Sequence, residues 1–370
     1  MIATRLGSSR RLAWALVPLM AFVLAGCSTA GGVAASWPSV SAGADRIYVA
    51  YGPAVYAVDL EGDEVWRYPN EAVRDLAFYA APAVSEDGMV YAGAYTGHLF
   101  ALDAETGNLE WEFPTADGAD GTADGRIVGS PTIAGDVLLV PTDGGTLFFL
   151  DRLTGETLRT FEADGQLWSA PRIEDGTAYL ASLAHTVYAI DVRSAEPVWA
   201  ADLGFAVADS PTLVGGTVLA GILGDALVAL QAQDGQELWR APSQGWLWGS
   251  PAVVEGQAVF GDVNGNVYAL NLIDGSDLWG QQTPGEAVTS SPVVVDGRVV
   301  IGFESGKLVA YSLETQSVDW DETAAGAILS DPVVAGSSVI VAVTSKEALL
   351  QAFDAATGDP MWNYLPASGG

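Results

Sequence analysis

Cysteine is nearly absent from this chain: Cys27 is the single one among 370 residues. No disulfide can form within it, and no thiolate cluster can hold zinc or an iron–sulfur centre. Histidine is almost as scarce, with only His98 and His185. Two isolated imidazoles argue against transition-metal sites and offer no Ser-His-Asp order. Cations are few as well: Lys plus Arg number 15 against 46 Asp plus Glu, for a net charge of −31. So acidic a body repels phosphate backbones, which excludes nucleic acid as a partner and disfavours peripheral binding to anionic lipid. Segments with a 3.6-residue apolar period are also missing, so helices are not expected. Apolar residues are plentiful at 49%, and charged ones make up only 16%, which is ample material for a core.

The cysteine has a place. The stretch before it starts basic with Arg5, Arg10 and Arg11, runs apolar from Leu12 to Val23, and ends on small residues. That order is a secretory signal, too short and wrongly flanked for a good spanning helix. Leu24-Ala25-Gly26-Cys27 resembles the lipobox of bacterial lipoproteins. The resemblance implies cleavage before Cys27 and lipidation of its thiol; a plain signal or an uncleaved anchor is the alternative. Ser28 resembles the pattern of lipoproteins sent to an outer membrane. The expected division is residues 1–26 as signal peptide, 27–36 as flexible tether, and 37–370 as the folded body, with an envelope location outside the cytoplasm.

Two landmarks recur along the body. A Pro before a short β-branched run stands at Pro38, Pro82, Pro131, Pro171, Pro211, Pro251, Pro292 and Pro332. A Trp follows at Trp66, Trp111, Trp199, Trp239, Trp279, Trp320 and Trp362, with Arg159 in its place in the third copy and Phe161 nearby as a substitute. The Pro-to-Trp distance is 28 in six copies, 29 in the second and 30 in the eighth. The Trp-to-Pro distance is 12 or 13 except for two insertions of 16 and 20. Each module breaks at turn dipeptides into four short strands. Continuous apolar runs such as Leu227-Val-Ala-Leu are strands covered on both faces. A four-stranded sheet of this size cannot cover itself, but eight stacked around an axis can. The expected fold is all-β: an eight-bladed β-propeller of four-stranded antiparallel blades. The terminal copies are as apolar as the middle ones, so a closed ring is favoured over an open stack with polar caps. The last outer strand comes from the C-terminus itself, so the usual exchange of an N-terminal strand is not obvious, and the sequence leaves open how the ring is closed.

The motif between the third and fourth strands, Ala101-Leu-Asp-Ala-Glu-Thr-Gly-Asn-Leu-Glu-Trp111, and its copy at 352–362, resemble the pyrroloquinoline-quinone (PQQ) type propeller repeat with its tryptophan docking motif. The seven tryptophans are therefore expected to dock blade on blade, each burying about 200 Å² for roughly 5 kcal/mol as an upper bound. Two groups share that repeat. The quinoprotein alcohol dehydrogenases imply a quinone, calcium held by Glu, Asn and Asp, and an adjacent Cys-Cys disulfide. The BamB-type lipoproteins imply a non-catalytic scaffold of outer-membrane barrel assembly.

The one cysteine excludes that disulfide, and no acid set can be assigned to base and metal roles. No catalytic residue and no PQQ are expected, and a scaffold for an envelope protein or peptide is favoured over a ligand or polysaccharide sensor. The propeller is expected to be monomeric. His98 and His185 read as turn residues. Asp262-Val-Asn-Gly-Asn266 resembles the start of a calcium loop but suits a hairpin turn better. Asp117, Asp120 and Asp124 form a solvated insertion or a weak Ca²⁺ loop. Both insertions fall on the face shared by the Trp-to-Pro connections and the turns between second and third strands. That face carries Arg74, Tyr79, Arg126, Trp168, Trp246 and Trp248, the candidates for partner contact; plugging the funnel under the axis is the alternative for the aromatics.

Overall fold

The computed structural model describes residues 37–71, 73–114, 125–280 and 286–367. Every regular element in them is a strand. Eight antiparallel sheets follow one another, at 39–68, 83–113, 132–162, 172–202, 212–242, 252–271, 293–323 and 333–364, and are numbered here as blades 1 to 8. Blade 5 is representative, with strands Thr212–Val214, Thr217–Ile222, Ala226–Gln231 and Glu237–Pro242 in sequence order. In blade 6 the fourth strand is reduced, among the described residues, to the bridge between Leu270 and Asp277. Blade 8 gains a short extra strand, Ala327–Ile328, on its second strand.

Second and third strands are buried on both faces, as the unbroken apolar runs require. Each hydrophobic cluster mixes two successive blades. First strands touch their neighbours around the axis, and those of blades 1 and 8 touch each other, which closes the ring.

The repeated motif explains the joints between blades. Asp103 Oδ1 accepts the Thr106 N–H at 2.8 Å and the Thr106 hydroxyl at 2.7 Å, holding the turn that Gly107 finishes at φ 71°. These bonds keep the Asp103 carboxyl below its ordinary pKa. A register shift then follows at the same place in seven blades, and past it the Trp stands opposite an Ala of the third strand. In blade 3, where Arg159 replaces the Trp, its partner is Phe149 rather than Ala. The bulge turns the outer strand so that its ring reaches the next blade.

Six of the seven rings lie on the glycine of the next blade's turn. A Cβ on Gly107 would sit 2.6 Å from Trp66, and one on Gly235 would sit 2.6 Å from Trp199. Gly155, Gly275, Gly358 and Gly62 stand in the same relation to Trp111, Trp239, Trp320 and Trp362. The indole N–H commonly donates to the carbonyl just after the motif's Asp position: Trp66 to Ala104 at 3.0 Å, Trp199 to Ala232 at 2.8 Å and Trp320 to Ala355 at 3.1 Å. Two of the eight joints lack the contact. Between blades 3 and 4 the glycine has become Ala195, whose cluster includes the buried Phe149, while Phe161 packs edge-on against Tyr188 of the next blade. Between blades 6 and 7 it has become Gln316, and Trp279 turns its N–H to Gln257 of its own blade. In blade 3 the Trp and its glycine seat are lost together, whereas Trp279 keeps its ring without a glycine seat and packs against Tyr311 instead.

Among the described residues no strand is exchanged at the closure. Blade 1 consists of its own four strands and blade 8 ends on Pro360–Tyr364. Side chains latch the ring instead. Trp362 sits on Gly62 and donates to Leu60 at 2.8 Å. The Tyr364 hydroxyl donates to Glu64 at 2.5 Å, and Glu64 is paired through both oxygens with Arg67.

Gly235→Ala should destabilise the protein by about 2–4 kcal/mol, through overpacking against Trp199 and an L-residue at φ 72°. Ala195→Gly, at a joint without Trp, should change stability by no more than about 1 kcal/mol. Denaturant titration of the pair tests the docking role directly. Tyr364→Phe should cost about 1–2 kcal/mol, because Glu64 then loses a buried-side donor at the closing joint.

Candidate functional site

All blade strands are antiparallel to their neighbours, so the connections between blades and the turns between second and third strands share one end of the ring, called the top. The chain before each Pro descends from this end to the axis. Seven homologous residues, each three before its proline, ring the funnel: Tyr79, Val128, Trp168, Ala208, Trp248, Thr289 and Leu329. Large side chains come from the even blades and small ones from the odd blades, so large and small alternate around the ring. The funnel they enclose has a volume of about 810 Å³.

The six candidates for partner contact fall into separate places. Tyr79, Trp168 and Trp248 line the funnel. Trp246 is 40% exposed outside it. Arg74 is almost fully exposed beside Asp75, at 3.4 Å. Arg126 is committed within the fold: its Nε meets Asp143 at 2.6 Å, it bonds the Tyr95 hydroxyl, and its guanidinium lies 4.5 Å over the Tyr95 ring. Tyr95 in turn stands 4.8 Å from Tyr79, so this cluster props the funnel wall. Cys27, Asp117, Asp120 and Asp124 lie outside the described residues.

The turn residues behave as turns. His185 adopts φ 82°, and His98 sits between Thr96 and the Phe100 ring. Asp262 is fully buried, with its carboxylate taken up by the Asn264 and Asn266 amides, the Asn266 side chain and the Tyr268 hydroxyl, at 2.8–2.9 Å. Burial, aided by Asp262, pushes the Tyr268 hydroxyl up to about 12.

Four residues escaped the sequence reading. Phe205 is 50% exposed on the connection between blades 4 and 5, next to the one carrying Trp246. Its ring lies over Gly224, where a Cβ would be 2.3 Å away. The other three are the charges of the funnel: Arg172, Asp209 and Asp331. Asp209 is tied into the wall. Its Oδ2 accepts from the Ser250 amide and hydroxyl at 2.8 Å each and from Ser291 at 2.9 Å, and its Oδ1 accepts from Ser210 at 2.7 Å. Asp331 accepts the Ser291 amide at 2.6 Å. The signal was positional. Arg172 follows its Pro where other copies have Ser, Thr, Ala or Val, and Asp331 precedes its Pro where most have Ser or Ala.

Asp331 is open to the funnel's water yet surrounded by protein atoms. That packing, and then the charge of Asp209, raises its pKa to about 7, against the pull of Ser291 and Arg172. The fold favours the protonated carboxyl, so its contribution to stability is full at acid pH and declines as pH rises from 3.8 to about 7. Asp331→Asn should therefore raise the melting temperature at pH 8 and leave it almost unchanged at pH 4. An equal effect at both would contradict this account.

The family described as outer membrane protein assembly factor BamB matches residues 12–160, 119–222 and 183–369. A polyvinylalcohol dehydrogenase of Pseudomonas sp is 33% identical over 126 residues, which is 30% of this chain and 20% of that one. A BamB of Xanthomonas campestris pv. campestris is 30% identical over 146 residues, 38% of this chain and 34% of that one. The chain thus spans a third or less of these curated relatives. The crystal structure of BamB from Moraxella catarrhalis superposes with a TM-score of 0.68 at 19% identity, covering 82% of this chain and 90% of that one, which is a likeness of fold. With the eight-bladed ring, the docking motif and a family match along nearly its whole length, this chain belongs to the outer membrane protein assembly factor BamB family.

Proposed function

We propose that this protein is a non-catalytic scaffold of the cell envelope, lipid-anchored at Cys27, which docks a protein partner of outer-membrane barrel assembly on its top face. One observation carries the docking surface. Phe205 and Trp246, 50% and 40% exposed, stand on adjacent connections of that face, in a chain whose other ring side chains are mostly drawn into the blades or the funnel. Phe205 is propped on Gly224, so little conformational entropy is lost when a partner covers it. Aromatic anchors of this kind dominate the energetics of protein interfaces. The net charge of −31 favours a partner whose contacting surface is basic.

The funnel does not suit the quinone and calcium of the dehydrogenases that share the repeat. A polyanionic quinone would meet two carboxylates and one cation there. Asp209 Oδ2 is already occupied by three hydrogen bonds. Among the described residues no group of three or more His, Cys, Asp or Glu is placed to hold a metal ion. The single cysteine supplies no disulfide.

The test is site-specific photo-crosslinking from position 246 in the native envelope, with adducts identified by mass spectrometry. A barrel-assembly component should be captured, and Phe205→Ala with Trp246→Ala should reduce its co-purification at least tenfold with circular dichroism unchanged. Undiminished co-purification, or adducts confined to unrelated proteins, would overturn the proposal.

A further inference from the structure

Blades 4 and 8 are four steps apart in a closed ring of eight, and so face each other across the axis. Arg172 opens the first strand of blade 4, and Asp331 precedes the first strand of blade 8. The funnel therefore carries a guanidinium on one wall and a carboxyl on the opposite wall. Both are exposed to the space between them. They are not joined: no ion pair links them, although Arg172 acts on Asp331 through its charge.

Neither charge is needed to hold the wall together. At the position of Arg172, Thr132 and Thr212 use their hydroxyls to bond the next blade's Pro171 and Pro251 carbonyls, at 2.8 and 3.0 Å. Arg172 gives up that bond and makes no other hydrogen bond among the described residues. At the position of Asp331, Ser210 and Ser291 accept the preceding connection's amide at 2.9 and 3.0 Å. Asp331 does the same for Ser291, a task a neutral hydroxyl performs elsewhere in the ring, and Ser291 is its only hydrogen-bond partner. The acid adds nothing there but its charge, at the cost of repulsion from Asp209.

The funnel also offers aromatic faces to an occupant. Trp168 stands on the Arg172 side, and Trp248 stands a quarter-turn on, between the two charges.

We propose that the funnel is a binding site for a short zwitterionic peptide, its carboxylate on Arg172 and its ammonium on Asp331, with an apolar side chain between the Trp rings. A guanidinium pairs a carboxylate through two parallel bonds, and an ammonium is suited by a carboxylate beside aromatic faces. The volume of about 810 Å³ holds a peptide of a few residues. An ammonium beside Asp331 also relieves its repulsion with Asp209. This site is separate from the outer aromatics Phe205 and Trp246, so either can fail without the other.

The probe is the tripeptide Ala-Phe-Ala, titrated calorimetrically into the purified full chain at pH 8. Saturable one-to-one binding is expected. Acetylating its N-terminus or amidating its C-terminus should each weaken binding at least tenfold. Arg172→Gln should abolish the distinction between acid and amide while keeping that between free and acetylated amine; Asp331→Asn should do the reverse. Because the blocked peptides are compared on the unaltered protein, a variant that misfolds does not spare the proposal. Absence of saturable binding, equal binding of free and blocked peptides, or tighter binding of a neutral disaccharide such as maltose would overturn it.

Discussion

A tryptophan ring laid flat on a glycine of the next blade sets the separation of the sheets at six of the eight joints. The contact works because both partners are extreme. The ring offers a large apolar face, and the glycine offers a positive φ and no side chain, so sheet and turn come together without a void. The Asp of the motif makes the turn, the bulge after it aims the ring, and the Ala opposite leaves room for it. The turn and the bulge lie within one sheet, but the ring and its seat belong to different ones. Ring and seat act only between blades, so the ring stands as a unit, and among the described residues its closure rests on side chains of blades 1 and 8.

The two joints that depart from this rule support it. At one, Arg159 and Ala195 replace ring and seat, and the buried Phe149 fills the third strand where other blades have Ala. At the other, Gln316 replaces the seat and Trp279 hydrogen-bonds within its own blade, packed 5.9 Å from Tyr311. Changes at one residue of the contact are matched by changes at its partners, as close packing demands.

A rigid ring leaves the top face and the axis free to vary. The connections there carry no repeat constraint beyond the apolar anchor before each Pro, and the unusual residues collect there. The funnel differs from a plain structural hub in its charges. Asp209 is absorbed into hydrogen bonds that tie blades 5, 6 and 7. Arg172 and Asp331 are not absorbed in that way, and they oppose each other across water. The exposed aromatics Phe205 and Trp246 occupy the outside of the same end. One end of the ring thus presents two chemically different surfaces, an aromatic one on its outside and a dipolar one in the funnel.

The amino-acid sequence alone determined the all-β ring, its eight blades, the blade-docking tryptophans and the end on which variation falls. Those features rest on local rules: strand periodicity, turn chemistry and a spacing repeated eight times. It also established the absence of a mature disulfide and of histidine clusters. Only the tertiary structure decided which top-face residues belong together. Trp246 and Trp248 are two positions apart in the chain, where a regular strand would put both on one side; the connection is irregular there, so one is exposed outside the funnel and the other lines it. Arg126 was legible as a cation on the right face, but its engagement by Asp143 and Tyr95 was not. The opposition of Arg172 and Asp331 lay furthest from reach. They are separated by four modules in sequence, and closure of the ring alone turns that separation into opposition across one cavity.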